Sequence, residues 1–270
     1  MRSPGYIRTK TAIAHVLLVA LAALPVASGW ETARETRREP TRETTRETAL
    51  SDDGGAAARD DGARLTSVKH VIHIVVDGLK PEAMAGNHNF DLLRANGVGT
   101  DNARNDLDSA QTLPNHISMF TGLSVAEHGY YKDDANGRDR LNLQNIFDLV
   151  KESGGRTGFF GAKDKFEIFD NSWNIDEFFF QKRGHRLLAA FLQEMHDREI
   201  RDTLFNYVFV HFREPDRAGH LYDGSKSNRY AAAVAEVDGY LGQIFQMIES
   251  SSLRDETAIV LTSDHGFEYQ

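Results

Sequence analysis

The chain of 270 residues contains no cysteine. Disulfide bonds, thiolate metal sites and a cysteine nucleophile are therefore excluded, and any metal site has to use oxygen and nitrogen ligands. A chain without cysteine folds equally well under oxidising and reducing conditions, so this absence does not indicate where the protein resides.

The chain also lacks an excess of positive charge, because 31 lysines and arginines stand against 40 aspartates and glutamates, for a formal net charge of -9. Binding along a phosphate backbone requires a basic surface, and no nucleic-acid-binding surface is evident. A small phosphorylated substrate remains compatible with this composition, since bound metal ions can supply positive charge locally.

Residues 1–29 have the features of a secretory signal peptide. Basic residues occur before position 11, the segment 12–27 is apolar apart from His15, and small residues at 27–29 form a cleavage pattern. The apolar segment is short for a membrane span, which needs about 20 residues. A single membrane anchor is the alternative. With cleavage we expect no stable membrane anchor and a secreted protein, periplasmic or extracellular.

Residues 30–65 repeat an Arg-Glu-Thr unit, alternate charges and contain almost no large apolar side chain. Such a segment cannot bury enough apolar surface to offset its ordering entropy. We predict a disordered charged linker here, followed by one catalytic domain over residues 66–270.

Strand and helix patterns alternate beyond residue 66. Strands are predicted at 71–76, 156–163, 206–212 and 258–263, and helices at 143–150 and 229–251. The alternation predicts an α/β fold with a mostly parallel sheet covered by helices on both faces. In such sheets ligands gather at the carboxyl ends of the strands.

Acidic and imidazole side chains follow three of these strands. Asp77 follows the first, Asp216 and His220 follow the third, and Asp264 and His265 follow the last. Taken singly, Asp-Gly after a strand is usually a turn, and Asp-x-x-x-His often occurs by chance. Their convergence at one sheet edge favours a metal centre instead. Carboxylates and imidazoles without thiols suit Zn²⁺, with Mn²⁺ or another divalent ion as the alternative.

The stretch 111–122, QTLPNHISMFTG, supplies a hydroxyl group. Thr112 stands two residues before a proline, so we expect extended neighbours and a helix from Asn115 through Phe120. A hydroxyl at the N-terminal end of a helix lies where an anion is stabilised. The alternative is that Thr112 only caps the helix. His116 is interpreted as a packing residue rather than a ligand.

Four motifs resemble a known family by their residues and their order. They are Asp77-Gly78, Thr112-Leu-Pro-Asn-His with Thr121-Gly122, Pro215-Asp216-x-x-x-His220, and Ser263-Asp264-His265-Gly266. Together, over residues 68–270, they resemble the type I phosphodiesterase/nucleotide pyrophosphatase family of the alkaline phosphatase superfamily.

The resemblance implies an alkaline-phosphatase-like fold and a metal-dependent hydrolase of phosphate esters in which Thr112 is the nucleophile. It also implies two divalent ions, with Zn²⁺ preferred. One ion would be held by Asp77, Thr112, Asp264 and His265, and the other by Asp216 and His220. A threonine nucleophile is similar to the phosphodiesterase branch and unlike the sulfatases.

The sequence departs from the family at the position where an asparagine amide donates to a phosphoryl oxygen. That position, five residues after a His-Gly histidine, is Asp133. A carboxylate there repels phosphate and lacks a donor, a loss of roughly 3 kcal/mol. We therefore expect Asp133 to weaken catalysis, and Asn136 is the alternative donor if the loop shifts.

A second departure concerns the ion assigned to Asp216 and His220. The family completes that site with a histidine well downstream of the Asp-His-Gly motif, and only four residues follow Gly266. His211 and His185 are conceivable replacements. We therefore expect a domain that is truncated at its C-terminus, an incomplete second metal site, and an exposed edge at strand 258–263.

Three functions remain open from the sequence. The first is a secreted metal-dependent phosphodiesterase or phosphatase, and the second is a truncated non-catalytic remnant that binds one metal or none. The third is a relative resembling phosphoglycerate mutases or phosphonate hydrolases. Lys163 and Lys165 are expected on a solvated surface loop, with a place in the substrate pocket as the alternative, and Trp173 is expected in the core.

Overall fold

The computed structural model describes residues 68–105, 109–135, 140–171, 173–222 and 224–266. The predicted signal peptide (1–29), the predicted linker (30–65) and Asn136 lie outside these residues. Among the residues described, no helix is long and apolar enough to cross a membrane.

Within these residues, one sheet of five parallel strands forms the centre of the fold, in the order β3-β2-β4-β1-β5. The strands are β1 His70–Val76, β2 Thr157–Gly161, β3 Glu177–Phe180, β4 Tyr207–Phe212 and β5 Thr257–Thr262. The predicted strands correspond to β1, β2, β4 and β5, and β5 lies at an edge of the sheet as expected. β3, with the sequence EFFF, was not predicted because four residues are too few to establish a pattern.

The structure describes eight α-helices within these residues. They are α1 Pro81–Met84, α2 His88–Asn96, α3 Thr112–Thr121, α4 Val125–His128, α5 Ile146–Glu152, α6 Gly184–Ile200, α7 Glu214–Leu221 and α8 Asn228–Glu249. Ser227 begins α8 by accepting a hydrogen bond from the backbone N–H of Tyr230, 3.1 Å away. The helix predicted at 229–251 agrees with the observed bounds of α8 to within two residues.

Helices cover both faces of the sheet, as predicted. On β1 the buried side chains alternate: Ile72, Ile74 and Val76 pack with α2, α6 and α8, whereas Val75 packs with α3 and α5. Successive residues of a strand point to opposite faces, so one strand contributes side chains to two cores.

Trp173 belongs to neither core. Its expected burial is wrong, because it lies in a turn and is 54% exposed.

His73 gives the folded state an acid sensitivity that can be measured. It is buried on β1, where its Nδ1 lies 2.7 Å from the hydroxyl of Tyr207. Burial lowers the pKa of His73 from 6.5 to about 4. Between these values only the unfolded chain takes up the proton, so the free energy of unfolding falls as pH falls, by about 1.4 kcal/mol per pH unit.

We therefore expect urea denaturation between pH 7 and pH 4.5 to show a shallower pH slope for His73→Gln than for the natural chain. Glutamine keeps a polar partner for Tyr207 but cannot titrate. The lowered pKa would be refuted by equal slopes in the two proteins.

Candidate functional site

The structure brings the acidic and imidazole residues that follow the strands into one cluster. Nε2 of His265 lies 3.3 Å from Asp77 Oδ1, 3.6 Å from Asp264 Oδ2 and 4.0 Å from Asp216 Oδ1. Asp77 directly follows β1, Asp216 lies in the first turn of α7 after β4, and the other two follow β5. Parallel pairing of β4, β1 and β5 places these three strand ends side by side.

Backbone groups at the ends of β1 and β5 orient Asp264. Its Oδ1 accepts hydrogen bonds from the N–H of Gly78 (3.2 Å) and from the N–H of His265 (2.9 Å). Gly78 has a φ of 67°, a left-handed conformation that glycine adopts without strain. The Asn115 amide donates to the Asp264 carbonyl at 2.9 Å, which ties α3 to the end of β5.

Thr112 is the first residue of α3, and its hydroxyl faces this cluster. Its Oγ lies 3.3 Å from Nε2 of His265, and the side chain is buried. The expected helix start at Asn115 is wrong, because Gln111 is the extended residue and α3 begins at Thr112. Pro114 is tolerated in the first turn, where a backbone N–H has no helical partner to lose.

Lys163 lies in the centre of the site, so its expected place on a solvated surface loop is wrong. Its Nζ is 2.5 Å from Asp77 Oδ2, 2.9 Å from Asp216 Oδ2 and 2.8 Å from Thr112 Oγ. Only 13% of its side chain is exposed. The sequence does contain one indication of this role, because Lys163 lies just beyond β2 and functional groups gather at the strand ends of a parallel sheet.

Opposing electrostatic effects act on the carboxyl groups in this site. Burial would raise the pKa of Asp77, but the Lys163 ammonium and two nearby histidines outweigh it, so that pKa lies well below its ordinary value. Asp264 is different, because burial and then the charge of Asp77 raise its pKa to about 7. The pKa of His265 is raised: burial lowers it, but Asp264 and Asp77 outweigh that effect.

Two further buried histidines line the cluster: His211, a conceivable replacement ligand from the sequence, and His116, which the sequence did not predict as a ligand. His211, on β4, has Nε2 3.2 Å from Asp77 Oδ2. His116 donates from Nδ1 to the Thr112 carbonyl at 2.7 Å, which fits its interpretation as a packing residue. Donor atoms of His116, His211 and Asp264 nevertheless lie within 4.8 Å of one another.

His220 and Asp133 lie at the outer part of the site. His220 is one turn beyond Asp216 on α7, with Nε2 3.2 Å from Asp216 Oδ1 and 70% of its side chain exposed. Asp133 accepts a hydrogen bond from the Leu113 N–H at 2.8 Å and pairs with Lys165. Lys165 is thus mostly buried as well, with 18% of its side chain exposed, which again contradicts a solvated loop.

The residues present fit a divalent ion. Donor atoms of Asp77, Asp264 and His265 lie within 4.8 Å of one another. Oδ1 of Asp77 and Oδ2 of Asp264 are buried and receive no hydrogen bond, whereas Oδ2 of Asp77 is paired with Lys163. Buried oxygens in this state are costly unless a cation compensates them, and oxygen and nitrogen donors suit Zn²⁺ or Mn²⁺.

A cleft of about 1050 Å³ opens onto this cluster. Its walls include Thr112, Asp133, Lys163, His220 and His265. A cavity of this size accommodates a small-molecule ligand. Thr112 therefore lines a space that is large enough for a small-molecule ligand.

Comparison with known proteins identifies the family. The sequence profile described as "Type I phosphodiesterase / nucleotide pyrophosphatase" matches residues 71–148 and 162–269. A bis(5'-adenosyl)-triphosphatase of Xenopus laevis is 22% identical over 199 residues, which cover 66% of this chain and 42% of that protein. Human ectonucleotide pyrophosphatase/phosphodiesterase family member 1 is 27% identical over 203 residues, 65% of this chain and 20% of that protein. The chain thus spans less than half the length of these relatives.

Solved structures show the same fold. Murine ectonucleotide pyrophosphatase/phosphodiesterase 5, as an inactive variant in complex with AMP, matches with a TM-score of 0.62 at 20% identity, over 73% of this chain and 57% of that one. A putative sulfatase from Bacteroides thetaiotaomicron matches with a TM-score of 0.57 at 11% identity, over 73% and 58%. The predicted alkaline-phosphatase-like α/β fold is confirmed, and with the profile match the chain belongs to the type I phosphodiesterase/nucleotide pyrophosphatase family, a family of metal-dependent hydrolases.

Proposed function

We propose that the protein is a metal-dependent hydrolase of phosphate esters in which Thr112 is the nucleophile. The observation that carries the proposal is the position of Thr112 Oγ, 3.3 Å from His265 Nε2 and beside the convergent acids at the strand ends. A hydroxyl that lies next to metal donors and opens onto a cleft is suited to attack on phosphorus.

Asp77, Asp264 and His265 would hold a divalent ion, with Thr112 as a further ligand, and Asp216 and His220 offer two donors toward a second cation. When bound, such an ion acts as a Lewis acid that lowers the pKa of a nearby hydroxyl and stabilises charge on phosphoryl oxygens. Zn²⁺ is the ion that these donors favour, and Mn²⁺ is the alternative.

The protein's own groups account for the rest of the proposed mechanism. Thr112 Oγ gives up its proton to solvent and attacks phosphorus, and the bond from phosphorus to the leaving oxygen breaks as the bond to Thr112 forms, so that the leaving group departs with the electron pair. Water then cleaves the phosphothreonine and restores the hydroxyl. The position of Thr112 at the start of α3 adds the partial positive charge of a helix N-terminus, which stabilises an anion bound there.

For the substrate we propose a small phosphodiester or pyrophosphate of the nucleotide type. The names of the relatives support this class, since one is a bis(5'-adenosyl)-triphosphatase and a structural neighbour was solved with AMP. We propose action outside the cytoplasm, in keeping with the signal-peptide pattern at 1–29. A non-catalytic protein that binds one metal or none is the competing proposal.

Hydrolysis of bis(4-nitrophenyl) phosphate by the full chain, loaded with Zn²⁺ and again after treatment with a chelator, tests the proposed function. We expect turnover that disappears with the chelator and returns when Zn²⁺ is restored. A folded chain that binds Zn²⁺ but releases no nitrophenol would favour the non-catalytic protein instead.

Asp133→Asn should accelerate this reaction by about a hundredfold, which corresponds to the roughly 3 kcal/mol of one donor to a developing oxyanion. Asparagine can still accept the hydrogen bond from the Leu113 N–H, and its amide adds a donor where the carboxylate has none. It also removes a negative charge beside Thr112. The measurement is kcat/KM on bis(4-nitrophenyl) phosphate.

Asp134→Asn is the matched control, since Asp134 is the exposed neighbour and loses the same charge. We expect little change in its rate. Equal rates for the natural chain and Asp133→Asn would show that Asp133, paired with Lys165, does not limit catalysis.

A further inference from the structure

The ammonium group of Lys163 lies among oxygens that the two metal assignments also require. Its Nζ contacts Asp77, assigned to one ion, at 2.5 Å and Asp216, assigned to the other, at 2.9 Å. It also donates to Thr112 Oγ at 2.8 Å. These distances are typical of charge-assisted hydrogen bonds. The positive charge of Lys163 therefore links Asp77 to Asp216.

The fold holds Lys163 in this position. It follows β2 by one intervening residue and is the extended residue before the 3₁₀ turn Asp164–Phe169. β2 pairs in parallel with β4, so the end of β2 lies beside the segment that leads to Asp216 in α7. The sheet therefore delivers a cation from β2 to the edge that receives acids from its other strands.

The donor atoms are unevenly divided between the two predicted ion sites. Asp77, Asp264 and His265 place donors within 4.8 Å of one another, whereas in the described part of the chain no such group of three includes Asp216 or His220. An ion bound to Asp216 Oδ2, at the roughly 2.0–2.2 Å typical of zinc and carboxylate, would face the Lys163 ammonium, which lies 2.9 Å from the same oxygen.

The balance of charge also favours one divalent ion together with the Lys163 ammonium. Asp77, Asp216 and Asp264 carry three negative charges when ionised, and one divalent ion with the Lys163 ammonium carries three positive charges. Two divalent ions in addition to Lys163 would leave an excess of two positive charges in a buried site, which is unfavourable without a compensating anion.

Building on the proposed function, we propose that Lys163 is the second cation of this site and that it holds Thr112 Oγ and bridges Asp77 to Asp216. The chain then binds one divalent ion tightly, at Asp77, Asp264 and His265. Lys163 contacts the reacting hydroxyl directly and is in this sense a catalytic residue.

Titration of the full chain with Zn²⁺ by calorimetry, with the bound metal counted by elemental analysis, tests this proposal without any substrate. We expect one tightly bound equivalent in the natural chain. In Lys163→Met, which keeps an unbranched side chain as far as Cε but removes the ammonium group, we expect a second equivalent or binding of the first that is at least about tenfold tighter. Lys163→Gln is a second neutral variant and should behave in the same way.

Lys165→Met is the matched control, because Lys165 lies two residues away and pairs with Asp133 rather than with the proposed ion ligands. It should bind one equivalent with nearly unchanged affinity. Two tight equivalents or none in the natural chain would overturn the proposal, as would neutral variants that bind Zn²⁺ just as the natural chain does. If one equivalent binds but no phosphodiester is hydrolysed, the proposed function fails and the assignment of Lys163 stands.

Discussion

Thr112→Ala should reduce kcat for bis(4-nitrophenyl) phosphate by about a thousandfold or more, because it removes the atom that would form the bond to phosphorus. The hydroxyl of Thr112 is buried and receives a hydrogen bond from Lys163, so the surrounding groups are arranged around this atom. Zn²⁺ binding should weaken far less, since Asp77, Asp264 and His265 remain. The measurement combines steady-state kinetics with zinc titration of the same preparation.

Two variants separate loss of the nucleophile from loss of structure. Thr112→Ser keeps a hydroxyl at the same position and should retain a measurable fraction of the activity. Thr203→Ala, in the loop that leads to the amino end of β4, makes the same substitution far from the site and should leave the rate unchanged. A Thr112→Ala protein with nearly full kcat would eliminate Thr112 as the nucleophile.

The fold was predictable from the sequence because its strands are buried on both faces. A run rich in β-branched residues, such as HVIHIVV over β1, predicts such a strand, and all six residues of β4 are buried. β3 escaped prediction because its four residues are only half-buried and form no pattern. The sequence also predicted that Asp77, Asp216 and Asp264 lie at one sheet edge. That prediction needs only the positions of the strand ends, because ligands gather at the carboxyl ends of parallel strands.

The features that the sequence did not predict depend on contacts between distant segments. Lys163 was expected on the surface because a lysine in a polar loop normally remains in water. In the structure the negative charges of Asp77 and Asp216 compensate the burial of Lys163. Both partners are distant in sequence, so the residues next to Lys163 do not indicate them. The start of α3 was misplaced for a different reason, since the rule for residues before proline is a preference that a helical first turn can override.

Phe209→Ala should lower the free energy of unfolding by about 3–5 kcal/mol, the range for deleting a fully buried phenylalanine. Phe209 lies on β4 with none of its surface exposed. Its ring centroid is 4.8 Å from that of Phe159 and 4.9 Å from that of Phe120, so it joins β2 and α3. The measurement is urea denaturation in the presence of a chelator, which removes any contribution from bound metal.

Phe209→Leu should cost less than Phe209→Ala, because leucine fills part of the cavity, and Ile200→Ala at an exposed position should change stability by no more than about 0.5 kcal/mol. Equal stability of Phe209→Ala and the natural chain would show that this core is not packed as described.

The ring of Phe209 also lies edge-on to that of His116, with 5.8 Å between the ring centroids, and His116 donates a hydrogen bond to the Thr112 carbonyl. A cavity at Phe209 should therefore loosen the start of α3, and Phe209→Ala should lose activity at urea concentrations below those that unfold the sheet.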